Sequence, residues 1–394
     1  MPVLVYHLAI AVFAQGTSEF MLAGLISGIA AELGISLGTA GLLTSGFALG
    51  MVIGAPLMAV VARKLPSRWT LTGFLTLFIA AHVVGALSSD FSTLFLTRVL
   101  AALAHSGFLA VTMSSIVRLV APQRRARALS VILGGTTLAL IAGVPAGALV
   151  GGLLGWRASL WGVAALCVPA ACAILFAMPG SAAPADPGAA PASAPAPTLR
   201  AELAALGQAP LLQSIALAAL ANAATFCTFT YLAAVAIDGA GLEASLMPLV
   251  LALFGVGAFV GVLLAGRIGD RHWRPLIGFG APLLLASWIG FGFASGSAAG
   301  LWLFTPALGA LSFAVGSALI ARVLASAQDA PTMGGSYSTA ALNLGAIAGP
   351  AIGGLAYVPL GPVGPIAVSA AFVLLTVIVN ATPCARAAEA TPPG

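Results

Sequence analysis

Charge is scarce in this chain. Asp, Glu, Lys and Arg make up 6% of its 394 residues, against roughly 25% in soluble proteins. Too few charged side chains are present to clothe a water-facing surface. Lysine is nearly absent, with Lys64 standing beside fourteen arginines. The four cysteines, Cys167, Cys172, Cys227 and Cys384, lack the spacing of a zinc site. Three of them lie in apolar runs and read as small apolar fillers without a disulfide. No G-x-x-x-x-G-K-[ST] loop occurs, so no ATP site is legible. There is no H-E-x-x-H and no pair of carboxylates, which leaves a metallohydrolase or acid–base enzyme without its chemistry. The start of the chain has no Lys or Arg before its first apolar run, and Glu19 interrupts that run. It reads as an uncleaved first helix and not as a signal peptide.

What the chain does have is apolar length. Mean hydropathy is +1.11. Twelve apolar stretches are read at about 4–29, 39–62, 70–88, 93–117, 128–152, 158–178, 211–236, 245–266, 275–295, 300–323, 333–357 and 362–381. Each suits a hydrocarbon core of ~30 Å, which takes ~20 helical residues to cross. The expected fold class is therefore an all-α polytopic membrane protein. Thirteen of the fifteen basic residues fall in the gaps after even-numbered stretches or at the tail, from Arg63, Lys64 and Arg68 through to Arg386. The alternate gaps hold only Arg157 among basic residues, with Glu32, Asp90, Asp238 and Glu243. Basic loops stay cytoplasmic, so both termini are expected in the cytoplasm of a cell bounded by its inner membrane. The net charge of +5 follows from this bias and does not call for nucleic acid.

A Pro/Ala-rich segment, PGSAAPADPGAAPASAPAPT, separates the sixth and seventh stretches and has no apolar face to bury. The expected organisation is a six-helix bundle at 1–178, a cytoplasmic linker at 179–209, a second six-helix bundle at 210–382 and a tail at 383–394. The halves repeat. Gly50 and Gly54 match Gly257 and Gly261 at an offset of 207, Gln15 matches Asn222 at the same offset, and Ile141-Ala142-Gly143 recurs as Ile347-Ala348-Gly349 at 206. Two parallel six-helix repeats are the layout of major facilitator transporters.

Polar groups inside the spans mark function, because a charge there costs at least ~2.5–3.5 kcal/mol. Glu19 stands near the middle of the first stretch, and Arg98 and His105 in the fourth. Glu19 suits three roles: proton carrier, substrate contact or member of a fixed ion pair. Burial disfavours the charged form of a carboxylate, which lets it load and release a proton. Arg98 and His105 are seven residues apart and share a helix face, so Glu19 is expected opposite one of them across a cavity. His82 and His7 are read as packing or interfacial residues. The second half offers Asn222, Phe226, Phe229, Tyr231, Trp288, Ser312, Tyr337 and Asn343, which with Gln15 suit a neutral, partly aromatic solute better than a phosphate. Gly143, Pro145 and Gly147, with Gly349 and Pro350 as counterparts, are expected to form kinked contact faces on which two halves rock. The stretch Gly266–Arg271, with Asp270, Arg271 and Arg274, is read as a cytoplasmic charge latch.

The residues GTSEFMLAGL (16–25), GAPL (54–57), Arg98 with HSGF (105–108), GVPAG (143–147) and GWR (155–157) resemble the drug:proton antiporter branch of the major facilitator superfamily, in particular its arabinose-efflux-like members. In the second half, NAATFCTFTYLA (222–233), LSFAVGSALIARVL (311–324) and APTMGGSYSTAALNLGA (330–346) are similar to actinobacterial chloramphenicol-resistance exporters. The resemblance implies twelve helices in two pseudo-symmetric bundles. It implies proton-coupled export of chloramphenicol or a related phenicol by a monomer, with no cofactor beyond the proton gradient. GVPAG would be the antiporter signature, Arg98 the arginine of the second conserved motif, and Gly266, Asp270, Arg271 and Arg274 the second copy of the loop motif. The first copy, ARKLPSRW (62–69), has Arg63 in place of the family acid and Pro66 in place of a glycine. After Arg98, Ala101-Ala102 replaces the usual Gln-Gly. Export of sugars or nucleosides by the same fold is the nearest alternative, followed by a membrane-embedded enzyme or passive channel.

Overall fold

A computed structural model describes residues 3–62, 66–178, 204–328, 330 and 333–382, apart from the side chains of 55–62, 114, 117, 118, 122, 126 and 269–272. The described residues are helical with no strands. Twelve helices are long and apolar enough to cross a membrane: Val3–Gly24, Leu37–Gly54, Ser67–Leu87, Phe91–Met113, Arg127–Leu154, Trp156–Ala177, Ala209–Thr230, Ala244–Ile268, Trp273–Ala294, Ala298–Ser326, Gly334–Leu360 and Val363–Asn380. They are called spans one to twelve. An apolar backbone segment in lipid must satisfy its own N–H and C=O groups, and a helix does this without a neighbour. Large apolar side chains remain on the outside of both halves, among them Phe176, Phe279, Phe293 and Leu355, as a lipid-facing surface requires.

The repeat seen in the sequence is a repeat of contacts. Gly50 and Gly54 of span two lie against Val99 and Leu103 of span four, while Gly257 and Gly261 of span eight lie against Pro306 and Ala310 of span ten. Both members of each pair are displaced by 207. The turns follow the same rule. Left-handed backbone, which favours glycine, occurs at Gly34 and Gly241 and again at Gly155 and Gly361. Helix N-caps repeat too: the Asp90 carboxylate accepts from the Thr93 amide, and the Ser297 hydroxyl from the Gly300 amide.

Two local features depart from twelve plain rods. Spans eight and nine belong to one helical stretch, Met247–Ala294. Its two parts run in opposite senses, because Gly257 and Gly261 meet span ten in parallel register whereas Gly280 and Gly290 meet Val315 and Phe304 in antiparallel register. Span one leaves α-helical geometry just after Glu19: the helix Val3–Phe20 passes into a 3₁₀ turn at Met21–Gly24. Span five opposite it contains a π-helical turn at Ala139–Gly143. Of the linker, only its last residues are described. They form a short turn, Ala205–Gly207, with Ala205 buried in the core of the second half.

An even number of spans puts both ends of the chain at one face. The halves close at the other, far face. Gly38 of span two approaches Gly354 of span eleven, and Gly41 lies under the Tyr231 hydroxyl. The Ser45 hydroxyl donates to the Ile347 carbonyl at 2.8 Å. Gly255 of span eight lies against Leu140 and Ile141 of span five, and Gly24 against Leu251. Near mid-depth, Phe20 meets Phe226 at 5.9 Å between ring centroids, with Ala48, Ala346 and Ile347 around them. These contacts between the halves lie from mid-depth to the far face.

Candidate functional site

Immediately beneath this apolar seal, on the side of the termini, span one presents Gln15, Ser18 and Glu19 to span four. Glu19 is the neighbour of Phe20 in the seal, and its side chain is 19% exposed. Its Oε2 lies 3.8 Å from Nε2 of His105. The other nitrogen of that ring, Nδ1, lies 2.6 Å from Oε1 of Gln15. An amide oxygen only accepts, so Nδ1 carries a proton and donates it to Gln15. In the neutral ring Nε2 is then a bare lone pair turned towards Glu19. At 3.8 Å the two are close enough to form an ion pair but are not hydrogen-bonded, so a proton passes between them only when the gap closes or a water bridges it.

Arg98 does not grip Glu19. Its Nη1 donates to the Ser18 hydroxyl at 2.8 Å and its Nη2 to the Ser18 carbonyl at 2.6 Å. Ser18 belongs to the last turn of its helix, where carbonyls lack regular helical partners, so the guanidinium satisfies a backbone group released by the change to 3₁₀ geometry. The guanidinium carbon also lies 4.7 Å from the centre of the Phe47 ring. Behind Ser18 sits His82 of span three. Its Nδ1 is 2.8 Å from the Phe78 carbonyl and its Nε2 is 2.6 Å from the Ser18 hydroxyl. The carbonyl can only accept, so Nδ1 donates to it, and the Ser18 hydroxyl donates to Nε2. One directional chain results: Arg98 to Ser18 to His82 to Phe78. His82 therefore has a companion that its position in the sequence did not reveal. His7 bonds only back to the Val3 carbonyl of its own helix.

The two glycines of the span five motif, Gly143 and Gly147, pack against span one, while Val144 between them belongs to the core of the second half. A Cβ at Gly143 would stand 2.0 Å from the Thr17 hydroxyl, and one at Gly147 would stand 3.1 Å from Cβ of Met21. Leu140 and Ile141 of span five lie against Gly255 of span eight, and Leu140, Val144 and Ala148 belong to the hydrophobic core of the second half. The motif thus lays the π-helical turn on the segment that carries Glu19, and the neighbouring larger residues make the inter-half contact. Gly349 behaves likewise, lying against Ala223 and Cys227 of span seven, while the Pro350 carbonyl accepts from the Tyr231 hydroxyl at 2.7 Å.

The residues expected around a cavity separate into two sets. Asn222 and Phe226 are one turn apart on span seven and so share a face. The Asn222 amide donates to the Leu342 carbonyl at 2.6 Å and that of Asn343 to the Thr339 carbonyl at 2.9 Å. Phe226 meets Phe20 of span one. Gln15 is fully buried on His105. Phe229, Tyr231, Trp288, Ser312 and Tyr337 are enclosed in the second half. Trp288 and Phe229 line a separate apolar niche of about 10 Å³ with Phe254 and Thr305. Of the expected latch, Gly266 has open space around it and the guanidinium of Arg274 lies 5.4 Å from the Trp273 ring centre. The side chains of Asp270 and Arg271 lie outside the described residues, as does Arg63.

These features define a membrane transporter built of two six-helix repeats around a central polar site. The model of the Major Facilitator Superfamily matches residues 8–340, and the chain belongs to that family. It is 51% identical over 352 residues to a chloramphenicol resistance protein of Streptomyces lividans, covering 89% of this chain and 88% of the relative. It is 31% identical to the inner membrane transport protein YdhP of Escherichia coli K12, covering 88% and 87%. Among solved structures, a bacterial homologue of the human lysosomal transporter Spinster, captured inward-facing and occupied, superposes with a TM-score of 0.77 over 98% of this chain and 96% of that one, at 17% identity. The chain is a transporter and not an enzyme.

Proposed function

We propose that the protein exports chloramphenicol or a closely related phenicol across a bacterial inner membrane in exchange for protons, as a monomer with both termini in the cytoplasm. Half identity to a chloramphenicol resistance protein along nearly the whole chain supports the substrate class. The bias of arginine towards the face of the termini supports the orientation. With that orientation the sealed face is external, and the molecule stands inward-open. The working units are the bundles 1–178 and 210–382, joined by a linker at 179–209 and followed by a tail at 383–394.

One observation carries the coupling: Glu19 is partly exposed beside the seal, with His105 at 3.8 Å and Arg98 committed elsewhere. A permanently paired acid could not titrate during the cycle, whereas this one can. Glu19 carries the proton, His105 is its exchange partner, and Arg98 supplies a nearby positive charge that favours proton release. In the inward-open state a neutral amphiphile enters below the Phe20–Phe226 contact. Phe226 offers an apolar face to it, and Asn222 and Asn343 offer amides. Glu19 loses its proton to the cytoplasm as drug binds. The halves then part at the far face and close at the near one, and Glu19 is reprotonated from outside as drug leaves. A proton moving inward across 100 mV releases ~2.3 kcal/mol, which supports a concentration ratio of roughly fifty for a neutral solute.

Chloramphenicol accumulation in cells expressing wild type or Glu19→Gln, with and without an uncoupler, tests this. Uncoupler-sensitive exclusion of drug is expected in wild type and not in the variant. Equal exclusion by both under a gradient would remove Glu19 from the cycle, and no exclusion by wild type would remove the drug. Arabinose in the same assay separates sugar efflux.

A further inference from the structure

The chain of hydrogen bonds through Ser18 is unused by the coupling scheme above, yet it governs where Arg98 points. Arg98 is 2% exposed and has three groups within its compass: the Ser18 hydroxyl, the Ser18 carbonyl and the face of Phe47. The acid one residue along the chain from Ser18 receives none of its hydrogen bonds. Two neighbours with opposite charge in a medium of low dielectric attract each other strongly, so their failure to pair needs a cause. The cause is Ser18. Its hydroxyl offers Arg98 a lone pair because its own hydrogen is engaged by Nε2 of His82 at 2.6 Å, and His82 is held in the required tautomer by the Phe78 carbonyl at 2.8 Å. A hydroxyl polarised in this way is a better acceptor than a free one.

We infer that Ser18 and His82 are positioning residues that tether Arg98 to the backbone of span one and so keep it from forming a direct ion pair with Glu19. The tether sets how readily Glu19 takes up a proton. While it holds, Arg98 acts on Glu19 only at a distance. When the hydroxyl bond is removed, the Ser18 carbonyl alone holds the guanidinium, which can then swing towards the carboxylate, and the carboxylate keeps its charge to lower pH. The other groups that bear on Glu19 do not replace this device. Span four brings Arg98 and His105, and span three brings His82. Span six carries the Cys167 and Cys172 thiols, with Arg157 engaged by Glu32 near its start. Span two has no titratable side chain among its described residues, span five has none beyond Arg127 at its end, and the neighbouring part of span seven has only the Cys227 thiol.

This inference rests on Glu19 being the coupling acid, and the experiment distinguishes the two. Full-length protein is reconstituted in liposomes with a pH-sensitive dye inside, and chloramphenicol-driven proton movement is recorded against pH for wild type, Ser18→Ala, Ser18→Thr, His82→Phe and Glu19→Gln. Ser18→Ala is expected to move the midpoint of the profile to lower pH by roughly one unit, in the range an adjacent opposite charge produces. His82→Phe moves it in the same direction by less, because the hydroxyl remains. Ser18→Thr keeps the hydroxyl and restores the wild-type profile, which a purely structural defect would not do. If Glu19→Gln responds like wild type, the coupling scheme itself falls. If Glu19→Gln is silent while Ser18→Ala and His82→Phe superpose on wild type, the tether is refuted. Should Ser18→Ala not assemble, the profile of His82→Phe decides: an unmoved midpoint overturns the inference and an acid shift upholds it.

Discussion

Replacing Gly41 by alanine should prevent the far face from closing as it does here. The added Cβ would stand 1.9 Å from the Tyr231 hydroxyl oxygen, 2.6 Å from Cζ and 2.9 Å from Cε1. Real Cβ atoms do not approach so near, so one of the two helices or the ring must move. The ring is poorly placed to do so. It is 1% exposed, its hydroxyl donates to the Pro350 carbonyl at 2.7 Å, and it packs on Tyr357 at 6.0 Å. Moving it breaks a buried hydrogen bond, at about 1–3 kcal/mol; moving the helix is an overpacking cost of similar size, about 1–3 kcal/mol. A penalty of about 2 kcal/mol that falls on the closed far face alone shifts the balance of states roughly thirty-fold against it. Hydrogen–deuterium exchange reads this directly. Backbone amides of 37–45 and 350–360 should exchange faster in Gly41→Ala than in wild type, those of spans three and six should not, and drug export should fall. Tyr231→Phe in the same chain should recover part of the protection, since it removes the nearest atom and leaves Cζ in place. Unchanged exchange at 37–45 together with full export would refute the claim that Gly41 and Tyr231 form the seal.

Three further outcomes follow from the geometry. Gly143→Ala sets a methyl group 2.0 Å from the Thr17 hydroxyl, which donates to the Phe13 carbonyl at 2.8 Å; export should drop several-fold with the protein still in the membrane by immunoblot, and Thr17→Ala should restore part of it. Glu32→Gln loosens the contact to Arg157, the two side chains being 50% and 32% exposed; an exposed pair is worth ~0–1 kcal/mol, and the Gln oxygen can still accept from Trp156, so thermal stability should barely change and a large drop would refute the reading of this pair as weak. The Thr93 amide holds Asp90 below the usual carboxylate range. A depressed folded value means that this cap stabilises above the ordinary carboxylate range and is lost as pH falls through the folded one; the difference in melting temperature between wild type and Asp90→Ala should therefore be largest near neutrality and shrink on acidification.

Most of the fold was legible because its signals are local. Twelve apolar runs, alternate basic gaps and repeated glycines survive without knowledge of neighbours, and the observed helices begin and end within a few residues of the reading. The reversal inside Met247–Ala294 was legible as an Arg- and Gly-containing gap, although helical backbone runs through it. The site was legible only in part. Glu19, Arg98 and His105 announce themselves because charge in a span is costly. Ser18 and His82 do not, since a serine or a neutral histidine inside a membrane helix has many bland explanations, and only the approach of spans one, three and four makes them partners. Likewise, Gly143 and Gly147 signal a close contact without naming the surface they touch. The structure assigns that surface to span one.

The pseudo-symmetry also bears on why mid-span charge is confined to the first half, since Arg322, the buried cation of span ten, lies near the end of that span and donates to Asn380 and Gln213. At the common offset of 207, Ser18 corresponds to Thr225, Arg98 to Thr305 and His105 to Ser312. The scaffold contacts around them are conserved between the halves, as the pairs Gly50–Val99 and Gly257–Pro306 demonstrate. The chemistry is not: Thr305 and Ser312 are buried hydroxyls without a hydrogen-bond partner, and the Thr225 hydroxyl only returns to the Ala221 carbonyl of its own helix. A site with one acid and its modulators in a single bundle has a single proton-binding centre to present to each side in turn. The second bundle, with no acid at the positions matching Glu19, Arg98 and His105, can then supply the apolar and amide surface against which a neutral solute is held. Installing an acid at Ser312 would test this division of labour. Ser312→Glu should weaken the export of neutral phenicols in accumulation assays and improve retention or transport of a cationic dye such as ethidium, whereas unchanged selectivity would show that the second half does not set the charge preference.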